Sequence, residues 1–319
     1  MNVKSHEIVG VPGNAAEFAT PLLSNLIDYA GLFPPAGLAM PSAVANYDAY
    51  LRSEFEWMLG RFIVPAARLS EFDESLTQLP DSRRAASEKQ ARWGLSVLLG
   101  ADAVGDLARL SEYQARFAAG RSPFKVQIES VEARIATPEE ITGISAMIPI
   151  ELKAYFEIAL SADVRDCIAA VAGCGRGAKI RTGGETSDKF PASSAVVEFI
   201  AQCAEANVPF KATAGLHHPL RSVHRLTYQP DSPSALMHGF LNVFLAAAFL
   251  RSGMEPKLAA ELLEERNAEA FQFDSDEIGW RGRRLTWRDI AETRQHFALS
   301  FGSCSFMEPV DDLRALHLL

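Results

Sequence analysis

Short apolar runs alternate with helical patterns along the chain at intervals of about 25 to 40 residues, as strands and helices do when they take turns in an α/β protein. Candidate strands fall at 27–33, 61–65, 94–99, 124–129, 152–158, 178–182 and 210–213, and helical stretches follow most of them. One helix start is well signalled at Thr137-Pro138-Glu139-Glu140, where threonine caps, proline suits the first turn and two acids face the positive helix end. Another helix covers 191–206, with Val196, Val197, Phe199, Ile200 and Cys203 forming an apolar stripe that packs outside the sheet before Asn207 and Pro209 stop it.

Seven parallel-type strands with crossover helices fit either a barrel or a doubly wound sheet, and polar chemistry in the loops after the strands is expected of both. The expectation adopted is one (β/α)8 TIM barrel domain over 1–319, its eighth strand at 297–303 and its last helix at 309–318. The segment 219–296 is too long for a single strand-to-helix turn and is read as an insertion between strands 7 and 8. It holds an apolar helix at 239–250, a second helix near 257–266 and a hairpin around 271–285. His238 and Asn242 are read as a polar pair within the apolar helix. Trp280 and the neighbouring arginines Arg281, Arg283 and Arg284 suit a hairpin that covers the barrel mouth or meets another subunit of a homo-oligomer.

Composition narrows the partners. With 48% hydrophobic and 22% charged residues the 319-residue chain can bury a large core, and a net charge of −9 disfavours nucleic acid or an anionic membrane, leaving a small-molecule substrate. Cys167, Cys174, Cys203 and Cys304 form no CxxC pair, so neither a disulfide framework nor a structural zinc site is expected. The apolar run at 239–250 is too short for a membrane span, and the opening MNVKSHEIVG lacks a signal-peptide apolar region, so a cytoplasmic, reducing location is expected.

The candidate chemistry lies in two strand-borne lysines, Lys179 in Gly177-Ala178-Lys179-Ile180-Arg181 and Lys211 in Phe210-Lys211-Ala212-Thr213. A lysine buried beside a second cation is driven towards the neutral amine, which attacks carbonyls and needs no cofactor. The structural alternative is that each lysine pairs with a core carboxylate such as Glu129 or Glu157. Gly183, Gly184 and Gly215 follow the two lysines and let backbone approach a ligand.

These residues resemble the deoxyribose-phosphate aldolase family of class I aldolases. Lys179, Thr182 and Gly183 match the Lys-x-x-Thr-Gly pattern of its sixth strand, and Lys211-Ala212-Thr213-Ala214-Gly215 is similar to its seventh. Shorter similarities follow in order at Leu26-Ile27-Asp28-Tyr29, at Leu152-Lys153-Ala154-Tyr155-Phe156-Glu157 and at Phe301-Gly302-Ser303-Cys304-Ser305. The resemblance implies that Lys179 forms the Schiff base, that Lys211 tunes it, and that Gly302 and Ser303 lie where substrate phosphate binds. Asp28, Arg181, Thr182 and the three glycines are the other residues expected against substrate.

Two departures stand out. The family carries a proton-transferring aspartate on its fourth strand, whereas 124–129 offers no aspartate and only Glu129; and His217-His218 replaces a different loop. The expected activity is a Schiff-base carbon–carbon lyase acting on a small carbonyl or sugar-like substrate, with Glu129, Glu157 or a histidine moving protons. The alternatives are a metal-dependent barrel using His217, His218 and Glu157, and a non-catalytic barrel whose lysines are structural ion pairs.

Overall fold

The structure, a computed structural model, describes residues 15–80, 92–118, 124–160 and 163–319. The N-terminal decapeptide read for a signal sequence lies outside them. Eight parallel strands close into a barrel: β1 (Ile27–Tyr29), β2 (Leu59–Pro65), β3 (Arg92–Leu98), β4 (Lys125–Ile135), β5 (Lys153–Ile158), β6 (Gly177–Arg181), β7 (Phe210–Thr213) and, after a long excursion, β13 (Ala298–Ser303). Pairing of Asp28 with Gly302 and of Phe301 with Ala212 joins the first strand to the last and the last to β7, leaving no free edge. The closed barrel is the expected (β/α)8 architecture.

Alternation along the strands separates two cores. Phe62, Trp93, Leu95, Val97, Phe156, Ile180, Phe210 and Phe301 point outward into the helical shell and are buried there. Their neighbours in sequence point inward, where the side chains are polar: Asp28, Ser96, Ser130, Glu132, Tyr155, Lys179, Lys211 and Ser300 are likewise buried. The shell comprises α1 (Ala15–Leu23), α2 (Met40–Tyr50), α3 (Leu69–Thr77), α4 (Ala103–Ala118), α5 (Pro138–Met147), α6 (Val164–Gly173) and α7 (Ser193–Glu205), together with helices of the long excursion. Thr137 caps α5 by accepting from the Glu140 amide, as its sequence signals.

The strand boundaries differ from the apolar runs in one consequential place. β4 does not stop at 129 but runs to Ile135, because a register slip between Leu95/Ile128 and Ser96/Ser130 accommodates Glu129 as an extra residue and the alternation then resumes.

The segment 219–296 is only partly an insertion. It begins with a two-stranded ribbon, β8 (Ser222–Arg225) and β9 (Ser234–Met237), that sequence reading did not foresee. The apolar helix α8 (Phe240–Arg251) is buried on all sides because it belongs to the barrel shell, with Phe240 stacked on Phe301, and Phe244 tilted against Phe301 and stacked near Phe210. Next come α9 (Pro256–Leu263), a three-stranded sheet of β10 (Phe271–Phe273), β11 (Glu277–Trp280) and β12 (Arg283–Thr286) in place of the expected hairpin, and α10 (Trp287–His296), opened by a Thr286–Asp289 capping box. The last helix, α11, spans Met307–Ala315. Among the described residues no helix is long and apolar enough to cross a membrane.

His238 lies just before α8, not within it. Burial lowers its pKa to about 4, so the neutral ring donates from Nε2 to Pro191 O at 2.8 Å and accepts from Arg221 at 2.9 Å. Asn242 ties three segments together: its Oδ1 accepts from the Arg221 amide, and its Nδ2 donates to Leu262 O and Glu265 O. Replacing this fully buried amide in Asn242→Leu strands one amide and two carbonyls. The expected loss is about 2 to 4 kcal/mol, seen as a lower urea midpoint with an unchanged slope.

Candidate active site at the carboxyl end of the barrel

Glu157, Lys179 and Lys211 stand side by side on β5, β6 and β7, since Glu157 pairs in register with Lys179 and Lys179 with Lys211. Their ion pairs cross the barrel interior. Lys211 Nζ donates to Asp28 Oδ2 at 2.7 Å and to Glu132 Oε1 at 2.5 Å; Lys179 Nζ donates to Glu132 Oε2 at 2.6 Å and to Glu157 Oε2 at 3.0 Å. Charges therefore alternate along a continuous row, Asp28–Lys211–Glu132–Lys179–Glu157, with Glu132 bridging the two amines through its two oxygens. The Ser96 hydroxyl supports Glu132 at 2.7 Å, and the Ser300 hydroxyl supports Asp28 at 2.7 Å.

Local sequence explains the fit. A Cβ on Gly60 would stand 2.3 Å from Asp28 Oδ1, so glycine there clears the space for the carboxylate that also accepts from the Arg61 amide. Beyond the lysines, Gly183 and Gly215 press together: a Cβ on either would meet the other's Cα at 2.8 Å, and Gly215 has φ +75°. Thr182 Oγ1 donates to Ala214 O at 2.6 Å and locks the same two loops. Thr182 and Gly183 thus shape the wall from behind, while Gly184 and Gly215 form part of its surface.

A cavity of about 2000 Å³ opens at the carboxyl ends of the strands, where Glu132, Glu157, Lys179, Arg134, Arg181 and Gly302 reach its wall. Lys211 and Asp28 lie below that surface, so the two lysines are not equivalent: Lys179 meets the cavity and Lys211 stands behind it. Lys189 is the other lysine on the wall among the described residues, and it pairs with Asp188 in the open.

Glu129 is not where the sequence reading placed it. Its carboxylate sits beside Gly94 and pairs with Arg61 at 3.0 Å and Arg92 at 3.5 Å, touching neither lysine. As the bulged residue of β4 it falls out of the inward alternation, and Glu132, three positions on, takes the place between the amines. The inward set Ser130, Glu132, Arg134 against Val131, Ala133, Ile135 was visible as a period of two, but only if the strand is continued past Glu129.

The electrostatics follow from burial and pairing. Burial alone would raise Glu132 and Asp28, yet Lys179 and Lys211 hold the Glu132 carboxyl far below the usual range, and Lys211 with Arg61 lowers Asp28. Glu157 is likewise pulled down, to about 2, by Lys179, Arg181 and Arg134 against its desolvation. Burial opposes the charge on Lys211, but Asp28 and Glu132 outweigh it and raise its pKa, so this lysine is a fixed cation.

The histidine pair lies at the rim. His217 Nδ1 is 3.0 Å from Glu308 Oε2, and His218 Nδ1 is 2.6 Å from Asp312 Oδ2, while the His218 ring stacks on His224 with centroids 3.2 Å apart. Both imidazoles are thereby tied to α11, and neither pairs with Glu157; among the described residues no group of three His, Cys, Asp or Glu side chains converges as a metal-binding set. Ser303 Oγ donates to Ser305 O at 2.6 Å and approaches His217 at 3.5 Å. Over the mouth it is the β8–β9 ribbon, through His224, Arg225 and Met237, with Leu226, Thr227 and Tyr228 just beyond β8, that forms the wall; the β10–β12 sheet contributes nothing to it.

No protein-family model matches the chain, and no curated protein matches it.

The depressed carboxylates set the acid limb of stability. Glu157 has a folded pKa of about 2 against an ordinary 4.5, so its contribution is present above 4.5 and is lost as pH falls towards 2. The urea midpoint is expected to begin declining below about pH 6.5, where the fold keeps His238 neutral, and to decline further below about pH 4.5 as Glu157 adds its share. Glu157→Gln removes one titrating group from that linkage, flattening the decline between about pH 4.5 and 2 by at most about 1.4 kcal/mol per pH unit; an unchanged slope contradicts the assignment.

Proposed function

We propose that the chain is a Schiff-base-forming carbon–carbon lyase of the class I aldolase type, acting on a small carbonyl compound through Lys179. The observation that carries this reading is the amine of Lys179 at the cavity wall, held between Glu132 and Glu157 while Glu132 is shared with the buried Lys211. The resemblance of the two lysine strands to the deoxyribose-phosphate aldolase family supports it from the sequence side.

Lys179 gives up a proton to Glu132 or Glu157 and adds to the substrate carbonyl carbon. The resulting carbinolamine hydroxyl takes that proton back and leaves as water, so an iminium remains. In a β-hydroxy carbonyl substrate the bond between the α and β carbons then breaks. Its electron pair moves into the enamine, the β-hydroxyl proton passes to a carboxylate, and an aldehyde departs. Reprotonation at the α carbon and hydrolysis free the lysine. Of the two carboxylates that flank the amine, Glu157 can hold the proton while Glu132 keeps Lys211 paired. Lys211, fixed as a cation, shares Glu132 with Lys179, so Glu132 is not given over to Lys179 alone.

Borohydride reduction in the presence of a panel of small aldehydes and ketones is expected to attach one substrate to Lys179, located by peptide mapping, and Lys179→Ala abolishes it. Lys211→Met leaves Glu132 to Lys179 alone, which tightens that ion pair, and the yield of trapped adduct at Lys179 is expected to fall. Absence of any adduct across the panel and across pH refutes the reading and leaves the lysines as structural ion pairs.

A further inference from the structure

The row of charges does not balance at the end that meets the cavity. Four cations, Arg134, Lys179, Arg181 and Lys211, draw on three carboxylates, Glu157, Glu132 and Asp28, and Arg61 also claims Asp28. The surplus is concentrated on Glu157. Its Oε2 takes Lys179 at 3.0 Å, and its Oε1 takes both Arg134 NH2 and Arg181 Nε at 3.2 Å. Among the described residues the two guanidinium groups form ion pairs with Glu157 alone. Their remaining N–H groups are open to the cavity, with the Arg134 and Arg181 side chains 74% and 43% exposed. Of the other carboxylates on the wall, Asp188 pairs with Lys189, Glu308 with His217, and Glu140 accepts from the Ala136 amide, while Glu185 is exposed and forms no ion pair with either arginine.

Position adds to charge. Arg181 follows Lys179 by two residues on the same face of β6, which places its backbone about 7 Å nearer the mouth. Arg134 enters from β4, directly beside Glu157 in the strand register. The amine and both guanidinium groups therefore gather around one carboxyl group, the amine on one oxygen and the guanidiniums on the other. A ligand bridging them carries its carbonyl and its negative charge on neighbouring atoms.

We infer that Arg181 and Arg134 form an anion subsite beside Lys179, and that the carbonyl substrate is a 2-oxo acid whose carboxylate they hold. The inference rests on the Schiff-base reading for its covalent step. Guanidinium groups bind carboxylate with charge-assisted and often bidentate hydrogen bonds, which orients the adjacent carbonyl carbon towards Lys179 Nζ. The amine adds to C2, the C2 oxygen leaves as water, and the imine carries the carboxylate on its own carbon. A phosphate placed further along a sugar chain lies too far from the carbonyl to use the same pair.

The test compares pyruvate, methyl pyruvate and glycolaldehyde phosphate as borohydride-trapped partners of the whole chain, with calorimetric titration of pyruvate alongside. Pyruvate is expected to reach half-maximal labelling of Lys179 at a concentration at least 10-fold below the ester. Arg181→Leu raises the pyruvate value 10- to 100-fold and shifts the ester value by a clearly smaller factor, and Arg181→Lys restores part of the difference. Equal labelling by acid and ester, or better labelling by the phosphate, overturns the subsite. Should no carbonyl label Lys179, the lyase reading falls, and calorimetry then decides the subsite separately. Pyruvate binding that disappears in the Arg134→Leu, Arg181→Leu double variant upholds it, and no binding to the parent chain removes it.

Discussion

Glu132 lies at the centre of the barrel with one carboxylate oxygen on each of two lysines, and the rest of the interior is arranged around that bridge. A carboxylate this deeply buried is tolerated only when paired and hydrogen-bonded, because taking a charge out of water costs several kcal/mol. Each neighbour has the same problem, so the solution propagates: Lys211 needs Asp28, Asp28 takes the Arg61 amide and the Ser300 hydroxyl, and Lys179 needs Glu157. Deleting one member leaves a buried charge without its partner, a change that typically costs about 3 to 5 kcal/mol. The row is thus a constraint on which side chains the strands can carry.

The same constraint explains why the fold has two cores of opposite character. Stability from burial comes from the outer face, where aromatic side chains such as Phe62, Trp93, Phe210 and Phe244 pack against one another and the helices. Freed from supplying apolar surface, the inner face holds charge. Closed strands fix these groups in place, each held by its ion pairs and hydrogen bonds.

The loops divide the labour differently from the strands. Thr182, Gly183 and Gly215 lock the turns after the two lysine strands, so the lysines' own elements are held at the cavity side. The ribbon β8–β9 and the histidines tied to α11 form the outer rim. There His218 is sandwiched between Asp312 and the His224 ring, joining the β7 loop, the ribbon and the final helix into one wall.

The strand-and-helix rhythm, the two lysines, Glu157 and the glycine turns were legible from the amino-acid sequence, because each depends on local spacing: a period of two, a cap, or a residue type allowed at a turn. Local spacing also misled where the chain left its rhythm. The bulge at Glu129 shifted the inward face by one position, so the carboxylate between the lysines was Glu132, which lies beyond the boundary an apolar run suggests. The long segment after β7 likewise hid a barrel helix, since a helix buried on every side carries no polar stripe to mark its partner. Only closure of the barrel decided which charges meet. Lys211 and Asp28 are far apart in the chain and on strands that are not neighbours in the sheet, and their pairing at 2.7 Å exists because the strands curve round to face one another across the interior.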